Sequence, residues 1–182
     1  MSGLDSQSIE QTSMARYLQL YVPDLSYTLI EEFKKRFRSM EICIDNRTSE
    51  ALSFIDSYFA TGGMFQIDES PRDVVPRSGS VYFLATPYYF TGVSGGWKFK
   101  VVGTDIYLYI GFSNPFLGSY KTFVSLNKNG TIPAEWPYNM SKDSSMKTDD
   151  CGEYIVDVTF TYPHYSPYLR IHYKIYYKEN TV

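Results

Sequence analysis

From Met40 onward, apolar and polar side chains alternate in short runs separated by Gly, Pro, Asn and Asp, the signature of half-buried strands joined by turns. The clearest run lies between Asp105 and Leu126, where Ile106, Leu108, Ile110 and Phe112 alternate with Tyr107, Tyr109 and Gly111. Aromatic and β-branched residues occupy both faces, which predicts a central strand. Asn114 and Pro115 end it, because proline cannot donate to a ladder, and the chain returns through Phe116, Leu117, Gly118, Ser119 and Tyr120. That loop is unusually apolar, so Phe116 and Leu117 call for burial in a neighbouring element, a partner or a bilayer.

The same pattern predicts strands over Met40–Asp45, Ala51–Ala60, Met64–Ile67, Ser80–Ala85, Phe90–Val102, Asp105–Phe112, Lys121–Asn127, Gly152–Thr161 and Tyr168–Tyr177. In the last of these Leu169, Ile171, Tyr173 and Ile175 alternate with Arg170, His172 and Lys174, giving one dry face and one wet one. Gly92, Gly95 and Gly96 signal a bend or a close approach of another backbone. The stretch Thr131–Lys142, with two prolines, a Trp and a Tyr, holds only a short helical turn.

The first 38 residues read differently. Met14, Tyr17, Leu18 and Tyr21 lie on one helical face that Pro23 ends. Ser26 is a suitable N-cap for a second helix, with Glu31 and Glu32 in its N-terminal half and Lys34, Lys35, Arg36 and Arg38 at its end, the order the helix dipole favours. Leu25, Leu29, Phe33 and Phe37 repeat every four residues with Ile30 beside them. This amphipathic helix suits docking on a sandwich, and equally a membrane surface.

Composition narrows the class. The 182 residues suit one domain with a proper core, and a net charge of -3 with pI near 5.4 argues against a nucleic-acid partner. Eighteen Tyr, 12 Phe and 2 Trp are many rings for this length, and such rings suit strands and water–membrane or protein–ligand boundaries. No apolar run reaches the length of a membrane span, and the polar start MSGLDSQSIEQTS lacks a secretory core, as expected of a processed chain or one made in the cytosol. Cys43 and Cys151 allow one disulfide or two thiols.

His164 and His172 are the only histidines, and the chain contains no HExxH, CxxC, P-loop or GxSxG. The expectation is therefore no enzyme, no metal and no cofactor. Asn46, Asn129 and Asn139 head sequons that matter only in a secreted chain.

Several stretches together resemble the actinoporins, soluble pore-forming proteins of sea anemones with relatives in other animals. ICIDNRTSEALSFIDSYFATG is similar to that family's first two strands, VVPRSGSVYFLA to its Val-Pro loop and following strand, and FTGVSGG to its Thr-Gly-rich strand. IGFSNPFLGSY resembles its Phe-Ser-x-Pro-aromatic loop, and PYNMS its tyrosine-rich segment. The resemblance runs from about Leu25 to Ile175. It implies a mainly β fold: a β-sandwich (39–182) flanked by an N-terminal amphipathic helix within a membrane-inserting segment (1–38) and by a short helical turn on the other side.

The function it implies is a cytolysin, monomeric in solution, that binds choline-headgroup phospholipid, sphingomyelin above all. It would then oligomerise on the membrane and insert its N-terminal helix, with Leu25, Leu29, Ile30, Phe33 and Phe37 toward lipid, to form a cation-permeable pore. Carried over by residue, the headgroup site is Thr61, Ser113, Pro115, Tyr120 and Tyr138, where tyrosine faces meet a quaternary ammonium and hydroxyls reach a phosphate. Phe116, Leu117 and Trp136 are the expected membrane anchors. The chain departs from the family at Pro133 and Pro137, where the family has tyrosines, and at Ser94, where it has valine. The implied location is secreted and on a target membrane, or cytoplasmic given the polar start. A non-lytic lipid- or glycan-binding module like the fungal fruit-body lectins is the alternative, distinguished by having no use for the N-terminal apolar stripe.

Overall fold

The structure is a computed structural model, which describes residues 38–64, 71–86, 91–141, 148–161 and 168–178. The first helical face and the stripe Leu25, Leu29, Ile30, Phe33 and Phe37 lie outside the described residues, as does Pro23. Among the described residues ten strands form two sheets: β1 (Ser39–Asn46), β2 (Leu52–Thr61), β3 (Gly63–Met64), β4 (Ser78–Ala85), β5 (Val93–Val101), β6 (Tyr107–Asn114), β7 (Lys121–Asn127), β8 (Thr148–Cys151), β9 (Tyr154–Thr161) and β10 (Tyr168–Tyr177). A single helical turn and a half, α1 (Glu135–Met140), lies between β7 and β8.

One sheet has six strands in the order β3-β4-β1-β10-β9-β8, the other four in the order β2-β5-β6-β7. Their pairings are antiparallel except that β1 runs parallel to β10, from Ser39 opposite Tyr168 to Asn46 opposite Ile175. The strand expected to be central, β6, does lie between β5 and β7. It begins at Tyr107 and runs through Ser113 and Asn114, two residues beyond the expected end, because both still pair with β5. The strand β8 was missed, since TDDC carries no alternation; it is an edge held by its pairing to β9.

The core is the inner faces of both sheets, as the two-residue period requires. Ile42, Ile44, Leu84, Ile171 and Tyr173 from the large sheet meet Trp97, Phe99, Leu108, Ile110 and Phe112 from the small one. Trp97 sits edge-on to Tyr82 and Phe112, each with ring centres 5.1 Å away. Tyr173 reaches across the sandwich: its hydroxyl donates to the Gly111 carbonyl at 3.0 Å and meets the Thr122 hydroxyl at 2.8 Å. Complete burial holds its phenol in the protonated form, with pKa above the ordinary tyrosine range. Cys43 is buried in β1, Cys151 is half-buried in β8, and no disulfide joins them.

The turn after β1 is fixed by one side chain. Asn46, fully buried, accepts from the Thr48 amide at 3.1 Å and the Thr48 hydroxyl at 2.7 Å, and donates to the Glu50 carbonyl at 2.7 Å. This Asx turn explains why the chain reverses there. It also leaves Asn46 sealed from solvent, whereas Asn129 and Asn139 are exposed.

Candidate functional site

The site begins with two glycines. Gly96 of β5 and Gly111 of β6 are cross-strand partners on the outer face of the small sheet, and α1 lies directly against them. A Cβ at Gly96 would stand 2.3 Å from the Ala134 carbonyl oxygen, and one at Gly111 would stand 2.1 Å from that of Pro137. Only bare backbone admits the helix this closely. Pro137 is tolerated because it sits in the first turn, where its missing N–H has no partner to lose. At the C-terminal end, the Ser141 hydroxyl donates to the Pro137 carbonyl at 2.7 Å. Held this way, α1 projects Tyr138 beside Tyr58, ring centres 5.6 Å apart.

Tyr138 forms one wall of a cleft of about 500 Å³, a volume typical of small-ligand sites. Thr61 at the end of β2, Ser113 at the end of β6 and Pro115 in the following loop line it too. Four of the five residues expected to hold a headgroup are thus brought together from three separate segments. Gly92 completes the floor, where a Cβ would stand 2.3 Å from the Asn114 carbonyl oxygen and 2.6 Å from Pro115 Cα. Ser94 and Ser113, both almost wholly buried, share a hydrogen bond of 2.8 Å across the strand pair.

The fifth residue, Tyr120, does not line this cleft. It packs against the hydrophobic core, and its hydroxyl accepts from Arg38 Nη1 at 3.2 Å. The same guanidinium donates through Nη2 to the Phe116 carbonyl at 3.1 Å and approaches Asn114 Oδ1 at 3.5 Å. Arg38 therefore ties both ends of the loop 115–120 to the start of β1.

The three expected anchors are not equivalent. Phe116 and Leu117 lie on the cleft's rim, Phe116 half-buried and Leu117 80% exposed. Trp136 instead packs on the outer face of the small sheet, edge-on to Phe123 at 5.1 Å and to Tyr109 at 5.6 Å. Sequence reading missed Thr91, Ser94, Ser119 and Lys121, all of which line the cleft. Their one available signal was position: each lies within a few residues of a strand end that borders Ser113 or Thr61.

Away from the cleft, charged side chains pair with one another on the large sheet. On the outer face of the large sheet, Glu41, fully buried, pairs with Arg170 Nε at 2.8 Å. Asp45 pairs with Arg47 at 2.8 Å and faces His172 at 3.8 Å. Burial lowers the His172 pKa, the Asp45 charge works against that shift, and Arg47, Lys174 and Arg170 add to it. Among the described residues no group of three His, Cys, Asp or Glu side chains is placed to hold a metal ion, and no helix is long and apolar enough to cross a membrane.

No protein-family model matches the chain, and neither does any curated protein sequence. Among solved structures it is similar to the lipid-binding protein Nakanori, with a TM-score of 0.66 over 81% of this chain and 75% of that one. The sequences are 11% identical over that match, so what the two share is the fold.

Proposed function

We propose that the protein binds phospholipid membranes by seating a headgroup in the cleft bounded by Thr61, Ser113, Pro115 and Tyr138, with Phe116 and Leu117 entering the apolar edge of the bilayer. The observation that carries this reading is the joining of a hydroxyl-lined cleft to an exposed apolar rim in one loop, Leu117 being 80% exposed. Exposed apolar residues beside a polar pocket suit a lipid, whose polar and apolar ends need both. The likeness in fold to a lipid-binding protein supports it. This reading assigns the protein no catalytic role.

The proposal extends to assembly. After binding, several copies associate and the segment up to Arg38 enters the bilayer to line a cation-permeable pore. A helix crossing about 30 Å of hydrocarbon at 1.5 Å per residue needs about 20 residues, which from Arg38 reaches back to about Gln19 and so through Pro23, a proline that neighbouring copies in an oligomer make tolerable inside a membrane. Sphingomyelin is the first lipid to try, as the resemblance implies.

Co-sedimentation with vesicles and dye release from them separate the two steps. Because Arg38 holds the cleft loop, the informative truncation begins at Arg38 rather than Ser39. That chain should bind vesicles as the whole chain does yet release no dye. Leakage by the shortened chain excludes insertion of the N-terminal segment. Binding without leakage by both forms leaves a non-lytic module, and failure of both to bind any vesicle refutes the lipid reading.

A further inference from the structure

The cleft's lining is uneven in its chemistry. Thr61, Thr91, Ser94, Ser113, Ser119 and Tyr138 contribute hydroxyls. Lys121, the first residue of β7, is the one basic residue among the described lining residues, which include no carboxylate. A hydroxyl has one proton to give and two lone pairs to accept with. The buried Ser94–Ser113 pair, which shares one hydrogen bond, therefore retains one O–H that can turn to an incoming oxygen.

Hydroxyls and an ammonium are donors for a phosphate, and charge-assisted hydrogen bonds to its oxygens are the strong kind. A trimethylammonium asks for the opposite: several aromatic faces around it, or a carboxylate. Two rings line the cleft, Tyr138 and Phe116, and Tyr138 already packs against Tyr58. Tyr120, the other tyrosine in the loop, is turned away onto the core beneath Arg38.

We infer that the cleft selects lipids by an anionic phosphate rather than by choline, with Lys121 and the Ser94–Ser113 pair as the phosphate contacts, so that a phosphomonoester lipid is its ligand class. This rests on the lipid reading of the same cleft. It places the charge of the headgroup, not its methyl groups, in control of affinity.

The experiment compares co-sedimentation of the full chain with phosphatidylcholine vesicles that are plain or contain sphingomyelin, phosphatidic acid or phosphatidylglycerol. The two anionic lipids are matched in surface charge. Phosphatidic acid should bind tightest, inorganic phosphate should compete, and choline chloride should not. Lys121→Gln should lower affinity for phosphatidic acid roughly tenfold or more, the scale of one charge-assisted hydrogen bond. Lys128→Gln is the control: it makes the same charge change at the far end of the β6–β7 pair, where Lys128 meets Asp105 at 3.3 Å. Unchanged unfolding midpoints establish that both variants fold. Equal affinity for the two anionic lipids, with equal losses in the two variants, reduces the effect to diffuse attraction and overturns the inference. Tighter binding to sphingomyelin than to phosphatidic acid, unaffected by Lys121→Gln, overturns it in favour of choline recognition. Absence of binding to every vesicle refutes the lipid reading itself.

Discussion

Replacing Gly111 by Ala asks whether the α1 seat determines the cleft. The added methyl would lie 2.1 Å from the Pro137 carbonyl oxygen and 2.3 Å from Ser141 Oγ. Carbon and oxygen settle at roughly 3.3 Å or more, so α1 has to retreat by about 1 Å. Neighbouring backbone cannot rotate out of the way as a flexible side chain could. Overpacking of this kind costs about 1–3 kcal/mol, and for a chain of this size each kcal/mol lowers Tm by about 2–4 °C. The retreat also carries Tyr138 off the cleft wall, so vesicle affinity should fall together with stability. Gly63→Ala is the control, since nothing lies within 4 Å of a Cβ there, and its effect should stay within about 0.5 kcal/mol. Urea unfolding followed by tyrosine and tryptophan fluorescence, with vesicle co-sedimentation on the same samples, reads both quantities. A Gly111→Ala protein with wild-type midpoint would show that α1 is not seated on β6. Lost stability with unchanged affinity would remove Tyr138 from the site.

Other outcomes follow from the same geometry. Tyr173→Phe should cost only about 1 kcal/mol in unfolding free energy, because Thr122 Oγ1 still donates to the Gly111 carbonyl at 3.1 Å after the phenol is gone; a loss several times larger would mean the cross-core bridge is a principal tie. Leu117→Ser should weaken vesicle binding at unchanged midpoint, whereas Trp136→Ala should lower stability by about 1–3 kcal/mol, its ring being wedged against Tyr109 and Phe123; the reverse pattern would exchange their roles. For His172, burial holds the folded pKa below the ordinary histidine value of 6.5, so the unfolded chain binds the proton first. Its contribution to stability is complete above pH 6.5 and declines as pH falls from there toward the folded pKa. The drop in midpoint from pH 7 to pH 5 should therefore shrink in His172→Asn, and an identical drop in both proteins would assign the pH dependence to other groups.

How far the sequence disclosed all this depends on the kind of signal. Strands buried on one face announce themselves by period two: Ile106, Leu108, Ile110 and Phe112, or Leu169 to Ile175, go to the core as the alternation demands. The short helix was readable from its prolines and rings in outline, but its seat was not. Gly96 and Gly111 look like isolated strand glycines until the register sets them side by side. Cleft residues were accessible through motif resemblance where they are distinctive, as with Ser113 and Pro115. Lys121, Ser94 and Thr91 were missed because a polar residue at a strand end is ordinary in itself, and only the fold brings the starts of β5 and β7 to one place. Tyr120 shows the converse: a motif position whose ring the local packing turns inward, under a guanidinium some eighty residues earlier in sequence, at a separation of 82.

Arg38 adds a side-chain tie between the start of β1 and the loop 115–120, beside the bond that Asn114 Nδ2 donates to the Ser39 carbonyl at 2.9 Å. Its guanidinium bonds to the Phe116 carbonyl and the Tyr120 hydroxyl, while its own backbone continues into the residues that precede β1. Any ligand that shifts the loop 115–120 must then change the free energy of holding the Arg38 side chain in place. Linkage makes the influence reciprocal: whatever displaces the Arg38 side chain changes the affinity of the loop for its ligand by the same factor. The bond set is thus a measurable coupling, on the scale of about 1–3 kcal/mol typical of such links. Removing the guanidinium in Arg38→Ala should leave the loop able to bind and weaken its coupling to the start of β1.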